Sequence, residues 1–407
     1  MAKKKSATES VNDGKFDGMF YKSPEDFKRV YQETGITGFD LAISNGQGLP
    51  VGGCILMYSA PGSGKSTLCV EIANRILRKN EAAGLPYKCL FLDIEGGSDG
   101  LAQNTHLMDF ASPTRGRRLL YKPAGGMTWN DLEEMFKCIE NGTPPFDDVR
   151  LVIIDSLNSI QSEAQADRKK KINSGDFGTS AKDRYNLYNK YVLNLKSKGV
   201  TFLFISQQRQ KQGATMFEDQ KKAATADGDD HIVDCILKLS RNGGGNNAET
   251  KKVDVISAAT GEKAKIATQF FCNVEAPKKN RFYAGLPKVP MLVKIGKGIV
   301  NAYTLRNILL TYHFMKVAGT GVGRTVTMAD ELLTFVGNSY PFEQGSKLPI
   351  ANKWIADNND GIIEFLKSKG KYTLVEPAEN TDEDFGDNDT DNEDDNEEET
   401  VEEMNEE

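Results

Sequence analysis

The sequence predicts an α/β fold with a mostly parallel central sheet, and three observations carry that prediction. Short apolar runs recur through the first three-quarters of the chain: CILMYS (54–59), KCLFLD (88–93), LVIID (151–155), TFLFIS (201–206) and IVDCILKLS (232–240). Strands without polar alternation are buried on both faces, as in parallel sheets. Helical patterns alternate with them, in the order β-α-β-α-β-α-β, so helices cover both faces of the sheet. The first run also leads straight into SAPGSGKST (59–67), a glycine-rich turn that opens a helix.

Each element has a local reason. After a basic cluster at Lys3, Lys4 and Lys5, SPEDFKRVYQ (23–32) reads as a short helix, with Ser23 as N-cap and Pro24 at its first position. LCVEIANRILRKN carries helical periodicity after the glycine-rich turn. TWNDLEEMFKCIENG has Thr128 as cap, Asp131 three residues on, and a stop at Asn141-Gly142. SAKDRYNLYNKYVLNLKSKG is a further helix, ended by Gly199. Two long polar loops are expected at 163–180 and 209–229, a length usually associated with function or disorder. After RNGGGNN the pattern changes to hairpin-like strands (252–257, 266–274, 290–295), then to a small helical region (301–370). No internal repeat is visible.

Composition sets further bounds. A chain of 407 residues with 39% hydrophobic content suits one large core with attachments. No run is long and apolar enough to span a bilayer, and MAKKKSATES lacks the apolar stretch of a signal peptide, so a soluble, cytoplasmic protein is expected. Cys54, Cys69, Cys89, Cys138, Cys235 and Cys272 are scattered, show no metal spacing and read as reduced core residues. The net charge of −7 conceals a division: residues 376–407 hold 18 of the 58 Asp and Glu and no Lys or Arg, leaving +11 on residues 1–375. A basic body with an acidic tail suggests a polyanionic partner and a built-in competitor for it; a disordered, solubilising tail is the plainer reading, and the two are compatible.

The turn after the first strand has the chemistry of a phosphate-binding loop, G-x-x-x-x-G-K-[ST], with Ser59 in the first glycine position. Consecutive backbone N–H groups and a helix N-terminus would hold phosphate. Within Ser59, Ala60, Pro61, Gly62, Ser63, Gly64, Lys65, Ser66 and Thr67, the Pro and Gly residues give the tight path. Lys65 reaches the β- and γ-phosphates, and Ser66 can hold Mg²⁺. LVIID ends on Asp155, suited to the Mg²⁺ shell. FLDIEGG ends on Asp93 and Glu95, where a carboxylate can orient and deprotonate an attacking water. Together these residues read as a Mg²⁺-dependent NTPase.

Five segments in this order resemble the RecA family. TGITGFDLAISNGQGLPVGGCILMYSAPGSGKST resembles the entry to its core, FLDIEGG its catalytic-glutamate strand, and VIIDSLNSI its Walker B strand. FLFISQQRQKQGATMF resembles the strand entering its second DNA-binding loop, and VEAPKKNRFYAGLPKVPMLVKIGKGI its late hairpin. The resemblance covers about residues 34–300, and the layout with its acidic end is similar to the UvsX-type phage recombinases. It implies Glu95 as catalytic base, Gln207 as γ-phosphate sensor, and Lys279 and Arg281 as cations reaching a neighbouring subunit's nucleotide. It also implies ATP as the nucleotide. One departure is that no aromatic closely follows Glu95, where bacterial RecA stacks one on the adenine.

The implied architecture is a RecA-like P-loop NTPase core at 34–300, a short N-terminal oligomerisation segment at 1–33, a small C-terminal region at 301–375 and a disordered acidic tail at 376–407. The implied function is an ATP-dependent recombinase that forms a helical filament on single-stranded DNA and pairs it with duplex. A single-strand-binding protein and a loading mediator are further partners, in the cytoplasm of a bacterium or phage-infected host. Arg168, Lys169, Lys170 and Lys171 in the first loop, and Arg209, Lys211, Lys221 and Lys222 in the second, are of the type that neutralises DNA phosphates. Phe177 and Phe217 can wedge or stack between bases, or pack against a neighbouring subunit. The alternatives are a hexameric helicase of the same superfamily, a regulatory ATPase of the clock-protein type that does not act on DNA, and a structural paralogue without turnover. Against the helicase, the N-terminal region is too short for a helical collar.

Overall fold

The computed structural model describes residues 28–166, 179–210, 221–223, 232–241, 250–256, 263–282, 288–295, 297–319, 324–337 and 346–369. The acidic tail, and most of both loops expected to meet DNA, lie outside these residues. The chain divides into two compact units, residues 1–299 and 300–407.

The first unit begins with β1 (Tyr31–Gln32), α1 (Thr37–Ser44) and β2 (Leu49–Pro50). The helix expected over SPEDFKRVYQ therefore does not reach its last two residues, which pair antiparallel with β2, Tyr31 against Pro50 and Gln32 against Leu49. The partner strand lies eighteen residues downstream, beyond any local capping signal. Asp40 organises this entry segment. Its buried carboxylate accepts bonds from Thr34 N (3.1 Å), Thr34 Oγ1 (2.6 Å) and Gly35 N (3.2 Å). Burial pushes the Asp40 carboxyl up to about 7, against the opposing effect of those bonds.

The core sheet follows. Its strands are β3 (Cys54–Ser59), β4 (Lys88–Asp93), β5 (Leu119–Lys122), β6 (Val149–Asp155), β7 (Thr201–Gln210), β8 (Lys221–Ala223), β9 (Cys235–Arg241), β10 (Thr250–Ile256), β11 (Lys263–Asn280), β12 (Val289–Lys294) and β13 (Gly298–Val300). The spatial order is β13-β12-β11-β9-β3-β7-β6-β4-β5, with β10 on β11 and β8 on β7. From β9 to β5 the strands are parallel; β10, β11 and β12 add an antiparallel edge. This is a mixed α/β fold with a large, mostly parallel central sheet, consistent with a RecA-like P-loop NTPase core.

The helices between strands are α2 (Lys65–Ala82), α3 (Asp99–Asn104), α4 (Trp129–Glu140), α5 (Glu163–Ala166), α6 (Thr179–Leu187) and α7 (Leu193–Ser197), the last two joined through a π turn at Tyr188–Val192. In α2, Leu68, Cys69, Ile72, Ala73, Ile76 and Leu77 are buried, a stripe at helical spacing. The Thr128–Asp131 capping box forms as the sequence indicates. Phe136 of α4 meets Phe202 edge-on at 5.6 Å, and Tyr188 stacks on Phe204 at 5.5 Å. Burying each such ring contributes about 2 kcal/mol.

Three sequence expectations change. The strand read from Ile232 starts instead at Cys235, because the Asp234 carboxylate is held by Cys54 N (2.9 Å) and Lys196 Nζ (2.6 Å). β5 was not legible: LLYK is short and three of its four residues are only half-buried. Within the stretch expected as the second polar loop, Arg209, Gln210 and residues 221–223 are strand. Its base is a hairpin in which Arg209 pairs with Lys222 and Gln210 with Lys221, so those cations sit on strands.

The second unit is not wholly helical. It contains α8 (Asn301–Thr311), β14 (Met315–Ala318), β15 (Thr325–Met328), α9 (Asp330–Val336), β16 (Ser346–Lys347), α10 (Leu348–Asp357) and α11 (Asn359–Ser368). The three strands form an antiparallel sheet. Phe365 anchors this unit, edge-on to Phe314 at 4.9 Å and to Phe335 at 5.5 Å.

Candidate functional site

Parallel pairing brings the carboxyl ends of four strands to one edge of the sheet. Asp93 at the end of β4 stands opposite Asp155 at the end of β6, and Ser59 at the end of β3 stands opposite Gln207 in β7. Ligand sites in open α/β sheets form at this edge.

The loop from Ser59 to Lys65 turns out of β3 into α2. Gly62 (φ 72°) and Gly64 (φ 91°) take the left-handed conformation, which side chains disfavour. Ser59 ends an ordinary strand, so glycine is not required there. The Lys65 ammonium rests on that serine, 2.9 Å from Ser59 Oγ, and on the carbonyls of Ser59 and Ala60 at 3.3 Å. Burial lowers the Lys65 pKa, opposed by the charges of Asp155 and Glu95. Among the described residues, the backbone N–H groups of Gly62, Ser63 and Gly64 donate to no protein acceptor. Together with the helix N-terminus they fit a phosphate group.

Ser66 Oγ donates to Asp155 Oδ2 at 2.5 Å, and Ser98 Oγ approaches the same oxygen at 3.4 Å. Burial pushes the Asp155 carboxyl up to about 6. Glu95 and Asp93 add to the shift, while the Ser66 bond and Lys65 oppose it. No group of three acidic, His or Cys ligands able to hold a metal occurs among the described residues. One carboxylate and one hydroxyl are nonetheless a fit for Mg²⁺, which keeps waters and takes further oxygens from nucleotide phosphates.

The structure separates the two acids of FLDIEGG. Asp93 is fully buried and accepts bonds from Gly96 N (3.0 Å), Gly97 N (3.2 Å), Ser98 N (2.8 Å) and Tyr121 Oη (2.8 Å). It shapes the turn. Glu95 is exposed, and its Oε1 accepts from Ser156 Oγ, from Ser159 Oγ (3.2 Å) and from Gln207 Nε2 (3.0 Å). Asn158 Oδ1 fixes the strand end beside it, accepting from Ser206 Oγ (2.9 Å) and Gln207 N (3.2 Å). The sequence reading missed Ser159 and Asn158, although both lie in the quoted VIIDSLNSI.

The P-loop residues, Glu95, Asp155 and Gln207 thus converge. Lys279 and Arg281 do not join them. Lys279 pairs with Ile236 and Asn280 with Cys235, which itself faces Ile55. This lies toward the amino end of β3, three to four residues or about 10–13 Å along the strands from Ser59. There Arg281 donates its N–H to Asp234 O at 2.9 Å and its guanidinium lies 3.6 Å from the Asp234 carboxylate. Arg168, Lys169, Lys170, Lys171, Phe177, Lys211 and Phe217 lie outside the described residues.

A family model described as an AAA domain matches residues 44–181. The chain is 27% identical over 180 residues to Protein RecA of Wigglesworthia glossinidia brevipalpis, covering 44% of this chain and about half (48%) of that relative. It is 22% identical over 291 residues to Protein RecA of Colwellia psychrerythraea, covering 70% and 72% of the two chains. It is 23% identical over 365 residues to Protein RecA of Mannheimia haemolytica, covering 87% and 84%. Among the described residues, no helix is long and apolar enough to cross a membrane.

Proposed function

We propose that this chain is a RecA-like ATPase that works on DNA as a recombinase, assembling on single-stranded DNA and pairing it with duplex. One observation carries the reading. The exposed carboxylate of Glu95 shares a hydrogen bond with Gln207, whose strand runs directly into the second polar loop. A group able to prepare water at a phosphate is thereby tied to a segment rich in cations.

ATP would supply the phosphoanhydride and Mg²⁺ the charge neutralisation of its phosphates. Lys65 and the loop N–H groups would bind the polyphosphate, and Ser66 with Asp155 would hold the metal. Glu95 would orient water and take its proton, with Ser156 and Ser159 fixing its carboxylate. Arg209, Lys221 and Lys222, at the base of the second loop, would meet the DNA backbone, so affinity would fall steeply with salt. Lys279 and Arg281 lie too far from their own loop to act there, which favours action on a neighbouring subunit and hence an assembled state. The similarity to three RecA proteins supports the recombinase reading. The similarity to the UvsX-type subgroup is part of the same proposal.

Electron microscopy of the full chain with single-stranded DNA, Mg²⁺ and a slowly hydrolysed ATP analogue tests the reading. Helical filaments on the DNA are expected. Closed rings would favour a helicase, and particles that bind nucleotide but no DNA would leave only the ATPase.

A further inference from the structure

The nucleotide reading places one cation, Lys65, on the phosphate loop. The structure holds a second beside it. Arg241 ends β9, the parallel neighbour of β3 on the side away from β7. Tyr58 faces Lys238, so three further residues carry Arg241 past the end of β3 to the level of the loop. A β-carbon on Gly62 would stand 3.6 Å from Arg241 Nη2 and 4.0 Å from its Cζ. That is van der Waals distance, so the guanidinium faces the loop at Gly62 directly.

The guanidinium is also held in place. Its Cζ lies 4.6 Å from the centre of the Phe270 ring, and Phe270 is itself buried. The edge of that ring reaches within 3.0 Å of where a side chain on Gly64 would begin. Stacking on a fixed ring orients a guanidinium while leaving its in-plane N–H donors for an anion. Arg75, Arg115 and Arg281 each face a carboxylate. Among the described residues Arg241 faces none. Two positive neighbours, the N-terminus of α2 and Lys65, share its loop, and both repel it. A bound polyanion reverses that balance.

We propose that Arg241 is a phosphate-binding residue of the same chain's nucleotide site, gripping the polyphosphate from the outer side of the loop at Gly62. Gln207 then flanks the loop through β7 and Arg241 flanks it through β9. The proposal rests on the nucleotide reading above, and the test separates the two.

The test measures dissociation constants of MgATP, MgADP and magnesium tripolyphosphate for the full-length wild type and for Arg241→Ala, Arg241→Lys and Lys65→Ala. Arg241→Gln, which keeps the stem on Phe270, replaces the alanine variant if that one melts early. Losing a charge-assisted bond is expected to weaken all three ligands about tenfold in Arg241→Ala, with part recovered in Arg241→Lys. Binding within twofold of wild type, while Lys65→Ala loses it, overturns the role of Arg241 and leaves the nucleotide site standing. Weaker ATP binding with unchanged tripolyphosphate binding also overturns it, since Arg241 would then act on the nucleoside. Failure of the wild type to bind any of the three ligands removes the nucleotide reading and this proposal together.

Discussion

Gln207 Nε2 donates to Glu95 Oε1 at 3.0 Å, joining two residues 112 positions apart in the chain. The contact exists because β7 runs parallel between β3 and β6 and its end overshoots theirs. The same carboxylate oxygen accepts from Ser156 and Ser159, so a change at Gln207 need not release it. On the proposed function, Gln207 would act as a coupling residue and Glu95 as a base.

The two roles separate in kinetics. Glu95→Gln should lower ATP hydrolysis by about 10²-fold or more while leaving nucleotide affinity within a few-fold. Gln207→Ala should keep nucleotide binding and lose stimulation of hydrolysis by single-stranded DNA. Hydrolysis assays with and without DNA decide it: full stimulation in Gln207→Ala would sink the coupling.

Asp93 should act through structure. Asp93→Ala strips the partner from three backbone N–H groups and the Tyr121 hydroxyl. The buried Ser98 N left unpaired costs about 1–3 kcal/mol, the exposed Gly96 and Gly97 less, and the turn carrying Glu95 would shift. A clear drop in denaturation midpoint with reduced hydrolysis is expected. A variant as stable as wild type would mean that the turn holds its shape without Asp93.

Asp40 gives a pH dependence. Its folded-state value of about 7 lies above the ordinary 3.8. Between those values the folded state holds a proton that the unfolded state has released. This group's contribution therefore favours folding at low pH and is lost as pH rises through about 4 to 7. Melting temperatures across pH 5 to 8 should fall more steeply in wild type than in Asp40→Asn. Equal slopes would show that Asp40 does not titrate in this window.

The trans roles of Lys279 and Arg281 can be tested by mixing. A Lys65→Ala chain keeps both cations, and a Lys279→Ala/Arg281→Ala chain keeps its phosphate loop. Each alone should hydrolyse little ATP, and a mixture with DNA should recover part of the activity. No recovery would argue that these cations do not act on a neighbour, and the Arg281–Asp234 contact would then be structural.

Much of the core was legible because its determinants are local. The continuous apolar runs, the Thr128 capping box and the glycines of the phosphate loop each act within a few residues. What was missed depended on partners distant in sequence. β1 needs β2 as its partner, β5 needs β4, and the hairpin at Arg209–Lys222 needs the register of β7 with β8. The different duties of Asp93 and Glu95, two residues apart, follow from which carboxylate the turn buries.

By itself, the sequence determined the α/β class, the phosphate loop and the acids at the strand ends, since strand burial and left-handed glycine turns are written in short stretches. The tertiary structure decided the rest. Parallel pairing brought Gln207 and Arg241 to opposite flanks of one loop, and the antiparallel pairing of β11 with β9 carried Lys279 and Arg281 toward the amino end of β3. Strand order and register set those positions, and both arise from packing between segments tens to hundreds of residues apart.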